Sequence, residues 1–242
     1  MWRWAAVLAV IAAPLSAETI VSAEYAGPTD RYAHGVLGDA IEWSRLIINV
    51  DTEKNGTLFT ELVVRETSYT FRLPLDRVFE DIAPRLADVD GDGDDEVIVV
   101  ETQVSSGAQL AIYDETGKIA ATPHIGTRNR WLAPIGAADL DGDGYVEIAY
   151  IDRPHLAKTL RVWRFKDGAL SEVTAASGLT NHRIGEDFIG GGIRDCGGGP
   201  EMITADADWF NIMATRMVDG MLQARIIGQF DGPASFDAAL SC

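Results

Sequence analysis

A chain of 242 residues can bury one sizeable core or two small ones, and 47% hydrophobic residues with 24 glycines is a globular composition rich in turns. Its 37 acidic residues outnumber 20 basic ones, for a formal net charge of −17. That balance argues against nucleic acid, whose binding depends on Lys and Arg displacing counterions, and against anionic membranes or polysaccharides unless a cation bridges them.

The chain begins with Met1-Trp2-Arg3-Trp4, an apolar run over 5–13, and Pro14-Leu15-Ser16-Ala17. A basic head, a short apolar stretch and a small final residue predict a signal peptide over 1–17, with an uncleaved interfacial anchor as the alternative. The run falls short of the roughly 20 residues that span a bilayer, and no longer one follows, so no transmembrane segment is expected after cleavage. The mature chain, 18–242, is expected to be exported: periplasmic, secreted or at the cell surface.

Residues 20–25 read as a strand. The two most informative stretches follow at 88–96, Asp88-Val89-Asp90-Gly91-Asp92-Gly93-Asp94-Asp95-Glu96, and at 139–147, Asp139-Leu140-Asp141-Gly142-Asp143-Gly144-Tyr145-Val146-Glu147. Counted from the first Asp, carboxylates fall at positions 1, 3, 5 and 9, Gly stands at 6, and position 7 (Asp94 or Tyr145) offers a backbone carbonyl. Alternating carboxylates around a glycine turn make a cage of hard oxygens. Ca²⁺ prefers such a cage, taking six to eight oxygens at roughly 2.3–2.6 Å. The expected ligands are Asp88, Asp90, Asp92, Asp94 and Glu96 for one ion, and Asp139, Asp141, Asp143, Tyr145 and Glu147 for another. Two bound ions would reduce the formal charge from −17 to −13.

An EF-hand shares this start, but needs a bidentate Glu at position 12 and a helix beyond. Position 12 is Val99 in one loop and Tyr150 in the other, and the residues after each loop, Val97-Ile98-Val99-Val100 and Ile148-Ala149-Tyr150-Ile151, read as buried strands. From Ala87 through Val97 and from Ala138 through Ile148, the chain resembles the FG-GAP or VCBS repeat of integrin-α-type β-propellers. The resemblance implies an all-β fold, a small propeller of about four four-stranded blades, with calcium playing a structural part in each loop.

The two loops are 51 residues apart. Gly35-Val36-Leu37-Gly38-Asp39, 49 residues before Asp88, and Ile189-Gly190-Gly191-Gly192-Ile193, about 54 after Asp139, occupy matching places. Four units are expected within one domain over 18–242, at roughly 30–78, 79–130, 131–186 and 187–230, with 231–242 as a loose C-terminal strap. The 20–25 strand could fasten the ring to the last unit, where residues 222–227 compete for the same outer position; an open array or a dimer of half-rings is the alternative. Tyr32, Phe79, Trp131 and Phe188 mark the junctions and are expected to pack between blades. The first unit lacks the acidic loop. The fourth keeps only Asp195 and Glu201 beside Arg194, a poor calcium site.

Cys196 and Cys242 are the only cysteines. In an exported protein such a pair suggests a disulfide, which here would hold the fourth loop where no ion does; two free thiols are the alternative. No catalytic motif stands out. His34, His124, His155 and His182 are isolated in sequence and read as surface or strand-end residues. The expectation is a non-catalytic, calcium-binding module for a protein or glycan ligand. A small exported hydrolase or lectin on the same blades is the alternative, since carboxylates that meet only in space escape a sequence reading.

Overall fold

The computed structural model describes residues 18–54 and 63–242; the expected signal peptide lies outside them. The described chain is all-β with one short helix. Its first strands are long: β1 (Glu18–Thr29), β2 (Glu42–Lys54) and β3 (Val63–Arg72). β2 pairs antiparallel with β1 and β3. The strand at 20–25 therefore joins β2 and does not fasten the last unit, as the sequence suggested. Residues 30–41 hold no strand. The Glu42 carboxylate accepts the Ala33 and His34 N–H groups at 3.1 and 2.8 Å, folding that segment into a tight loop in place of a strand.

Three antiparallel meanders follow, each of inner, second, third and outer strands. In the first, β4 (Arg77–Phe79) and β5 (Arg85–Ala87) both pair with β6 (Glu96–Gln103), followed by β7 (Gly107–Asp114) and β8 (Gly117–Ala121). A Trp43–Phe79 pairing joins this meander to β2 in one eight-stranded sheet. The second meander runs β9 (Leu132–Ala138), β10 (Glu147–Asp152), β11 (Thr159–Lys166) and β12 (Ala169–Ser177). In the third, β13 (Leu179–Thr180) and β14 (Gly192–Asp195) share β15 (Pro200–Asp206), then come β16 (Asn211–Val218) and β17 (Met221–Gln229). This last meander begins at Leu179, eight residues before the expected boundary.

Burial follows strand position. β6 and β10 are buried along almost their whole length, whereas β12 and β17 are largely exposed. Strands covered on both faces need apolar residues at consecutive positions, hence the unbroken runs after each acidic loop. One face of β6–β7 packs Val97 and Val99 on Leu46, Ile48 and Phe79 of the N-terminal sheet. The other packs Ile98, Val100 and Leu110 on Leu132, Ile148 and Tyr150. A third cluster joins Ala149, Ile151 and Leu160 to Met202 and Met217.

The C-terminal segment is not a loose strap. Helix α1 (Ala234–Leu240) lays Phe236, 2% exposed, on Ile203, Ala205 and Ile212, covering the outer face of the last meander. Its seat is glycine: a Cβ at Gly190 would stand 2.2 Å from the Phe236 ring. A disulfide joins Cys196 to Cys242, as the sequence suggested, and ties the end of α1 to the turn after β14.

Candidate metal centre

Both acidic loops connect the inner strand of a meander to the second, and both are built the same way. Gly91 and Gly93 in one, Gly142 and Gly144 in the other, have φ between 79° and 94°, a region that non-glycine residues enter only with strain. The turn folds around its first carboxylate. Asp88 accepts the N–H of Gly91 at 2.7 Å and of Gly93 at 3.1 Å, and Asp139 accepts those of Gly142 and Gly144 at 2.7 and 2.9 Å. The closing glutamate reaches back from the second strand. Glu96 accepts Val89 N–H at 2.8 Å, and Glu147 accepts Leu140 N–H at 2.9 Å.

The result is two equivalent triads. Asp88, Asp90 and Glu96 bring one oxygen each within 4.8 Å of one another, as do Asp139, Asp141 and Glu147. The other expected ligands lie outside these triads. Asp92 accepts Asp94 N–H, and Asp94 accepts both Asp95 N–H and Ile20 N–H of β1, at 2.8 Å, so it fastens the first strand to the loop. Asp143 accepts Tyr145 N–H, and the Tyr145 ring lies beneath the Lys166 ammonium at 4.1 Å.

Charge separates the loops. Opposite Glu147 in the β10–β11 register stands Arg164, whose guanidinium meets Glu147 at 2.5 Å, Asp141 at 2.9 Å and Asp143 at 2.7 Å. The corresponding place opposite Glu96, next to Tyr113 in the β6–β7 register, is held by Asp114. Burial first, and then repulsion from Asp90, Asp92 and Asp88, pushes the Glu96 carboxyl up to about 7, against the stabilising N–H of Val89. Burial also raises Glu147, but Arg164 opposes it. The third loop completes the series. Asp195 still accepts Gly197 and Gly199 N–H, yet Glu201 is held by Arg194, Arg216 and Arg225 at 2.9, 2.6 and 2.5 Å. Burial would raise its carboxyl, and the three arginines override it, bringing it to about 2.

The donor set at 88–96 fits a divalent cation best. It offers three convergent hard oxygens and a surplus of negative charge that no side-chain cation among the described residues offsets with an ion pair.

Residues 88–150 match the family model of the FG-GAP-like repeat. The match spans both acidic loops and the strands β6 to β9 between them, and ends at Tyr150 within β10. No curated protein matches the chain. Among solved structures, the crystal structure of the exotype rhamnogalacturonan lyase YesX resembles it at 15% identity with a TM-score of 0.39, covering 87% of this chain and 48% of that one. The chain thus spans about half the length of that lyase.

A second constellation lies outside the repeat's loops. His34 from the 30–41 loop, His155 from the turn after β10 and His182 from the segment between β13 and β14 converge around Trp131. The Trp131 ring lies 6.4 Å from His155 and 4.9 Å from His182, and its indole N–H donates to the Glu80 carbonyl at 2.7 Å. His34 Nδ1 meets the buried Glu80 carboxylate at 2.5 Å, and Thr102 Oγ1 donates to the other Glu80 oxygen at 2.6 Å. His34, Trp131 and His155 line a cavity of about 320 Å³. The reading of each histidine as isolated is corrected for these three, while His124, bonded to the Gly107 carbonyl, is the strand-end residue expected. No local motif could have announced the cluster, because its members come from separate connections.

Proposed function

We propose that the chain is an exported, calcium-stabilised β-propeller module that serves binding and not catalysis. Its three meanders and N-terminal sheet are read as four blades of one domain over 18–242. The observation that carries the reading is the pair of three-carboxylate triads in identical register, each behind an inner strand. Asp88, Asp90 and Glu96 would hold one Ca²⁺, and Asp139, Asp141 and Glu147 a second, with further oxygens from the loop backbone and water. The ion's part is structural: it neutralises carboxylates that otherwise repel and so rigidifies the edge of each meander. The disulfide supports export, since such bonds persist in oxidising compartments. Among the described residues, no helix is long and apolar enough to cross a membrane. The ligand is proposed to be a protein or glycan.

Thermal melts test this reading. An ion at about 100 times its dissociation constant stabilises by roughly 2.7 kcal/mol per site. The wild-type protein is expected to melt higher in calcium than in chelator, with part of the gain lost in Asp90→Ala and part in Asp141→Ala. A wild-type protein that melts identically in both would refute it.

A further inference from the structure

The cavity beside Trp131 has a chemistry unlike the rest of the molecule. In a protein of net charge −17, no carboxylate among the described residues lines it. Its wall carries Arg130, Arg153 and His34. Arg153 is matched by Asp152, which it meets at 2.8 Å. Arg130 forms no ion pair among the described residues, where the one hydrogen bond of its side chain is to the Asn129 carbonyl beside it. One cation is therefore left at the wall without an internal partner.

The imidazoles are held in place from behind. Glu186 O can only accept, so His182 Nε2 carries the proton that meets it at 3.0 Å. The neutral ring then accepts at Nδ1 from His155 Nε2, at 2.9 Å, and His155 keeps Nδ1 as a free acceptor. Burial, with the neighbouring His182 adding to it, pushes His155 down to about 4, which keeps this arrangement uncharged at neutral pH. His34 is fixed through Nδ1 by Glu80, which is itself 2% exposed, and its Nε2 has no protein partner.

The remainder of the wall is apolar. Val36 and Trp131 form the buried part, and at the mouth Leu156 and Ile184 are 64% and 71% exposed, a pair of large apolar side chains left in water beside a cavity. A volume of about 320 Å³ lies at the small end of the range for ligand pockets. Apolar walls and one unpaired guanidinium call for an anion with an apolar body.

We propose that this cavity binds a small organic carboxylate, its charge held by Arg130 and its apolar body against Trp131, Leu156 and Ile184. The site is separate from the acidic loops. Trp131 precedes β9 and Asp139 follows it, and the seven residues of that strand span roughly 20 Å. Its occupancy is thus independent of whether the loops take calcium.

The probe is 3-phenylpropionate, titrated calorimetrically beside its neutral analogue 3-phenylpropanamide. A hydrogen bond to a charged group is worth about 1.5–3 kcal/mol, so the acid is expected to bind at least about tenfold more tightly than the amide. Arg130→Gln should abolish that difference while leaving the melting temperature unchanged, because Arg130 supports no ion pair. Leu156→Asp, an exposed substitution, should weaken both probes and the acid by more, since it removes an apolar contact common to the two and adds a negative charge that opposes only the acid. Equal binding of acid and amide, an unaltered preference in both variants, or no saturable binding of the acid up to about 10 mM would overturn the proposal.

Discussion

The loops at 88–96 and 195–201 share one backbone device and end in opposite electrostatic states. Each folds around a leading aspartate that accepts two glycine N–H groups, and each closes with a buried glutamate at the start of the second strand. In the first loop the residue opposite that glutamate is Asp114; in the last it is Arg216, reinforced by Arg194 and Arg225. The 139–147 loop stands between them with one arginine, Arg164. The series teaches that the charge beside a buried carboxylate at this junction sets its state. Where arginines stand beside the glutamate it is acidic; where none does, burial and neighbouring carboxylates push it up, and the loop's triad is left able to hold a metal ion.

The largest effect is expected where covalent chemistry adds to the arginines. On the chain-entropy account, a disulfide between residues 46 apart stabilises by about 4 kcal/mol. Cys242→Ser should lower stability by about that much in urea titrations, equally in calcium and in chelator. A loss that appears only in chelator would mean that the third loop also depends on an ion.

Next comes Glu201→Gln, which leaves the mostly buried Arg194 without its anion and should cost about 3 kcal/mol. The sign with pH is set by the depressed native carboxyl. Between the ordinary glutamate range and about 2, the unfolded chain binds the proton that the folded chain refuses, so this stabilisation is present above about pH 4.5 and fades as pH falls toward 2. Wild-type and variant urea midpoints should differ at pH 6 and converge near pH 2. A gap that stays constant across that range would show that Glu201 is not ionised in the folded protein.

The smallest effect sharpens the comparison most. Arg164→Gln removes a charge that occupies two of the carboxylates an ion would use in the 139–147 loop, Asp141 and Glu147. Calcium affinity there should rise by about tenfold, near 1.4 kcal/mol, with no change at 88–96. Unchanged affinity would mean that the guanidinium swings clear at no cost and does not compete.

Much of this was legible in the primary structure, and the reason is distance along the chain. The acidic loops announce themselves because Asp88, Asp90, Gly91 and Glu96 act within nine residues, and the apolar runs after them because β6 and β10 are covered on both faces. The disulfide followed from two cysteines with no other partner. Arg164 was passed over because it faces Glu147 only through strand register, seventeen residues on. The same limit hid the cavity, where His34, Glu80, Trp131 and His182 come from connections between strands that packing alone brings together. Residues 35–39 were matched to the start of the other units, yet residues 30–41 hold no strand. Glu42 instead spends its carboxylate on the backbone of Ala33 and His34. Nor could the sequence show that Gly190 is the floor on which Phe236 rests, because the helix that brings Phe236 there lies more than forty residues on.

Calcium titration of the chelator-stripped protein by calorimetry, run on the wild type and on Asp90→Ala, tests the central claim most directly. The account predicts two ions bound by the wild type with distinct affinities, and only the weaker retained by Asp90→Ala. No saturable binding, or a variant that keeps the tighter ion and loses the weaker, would contradict it.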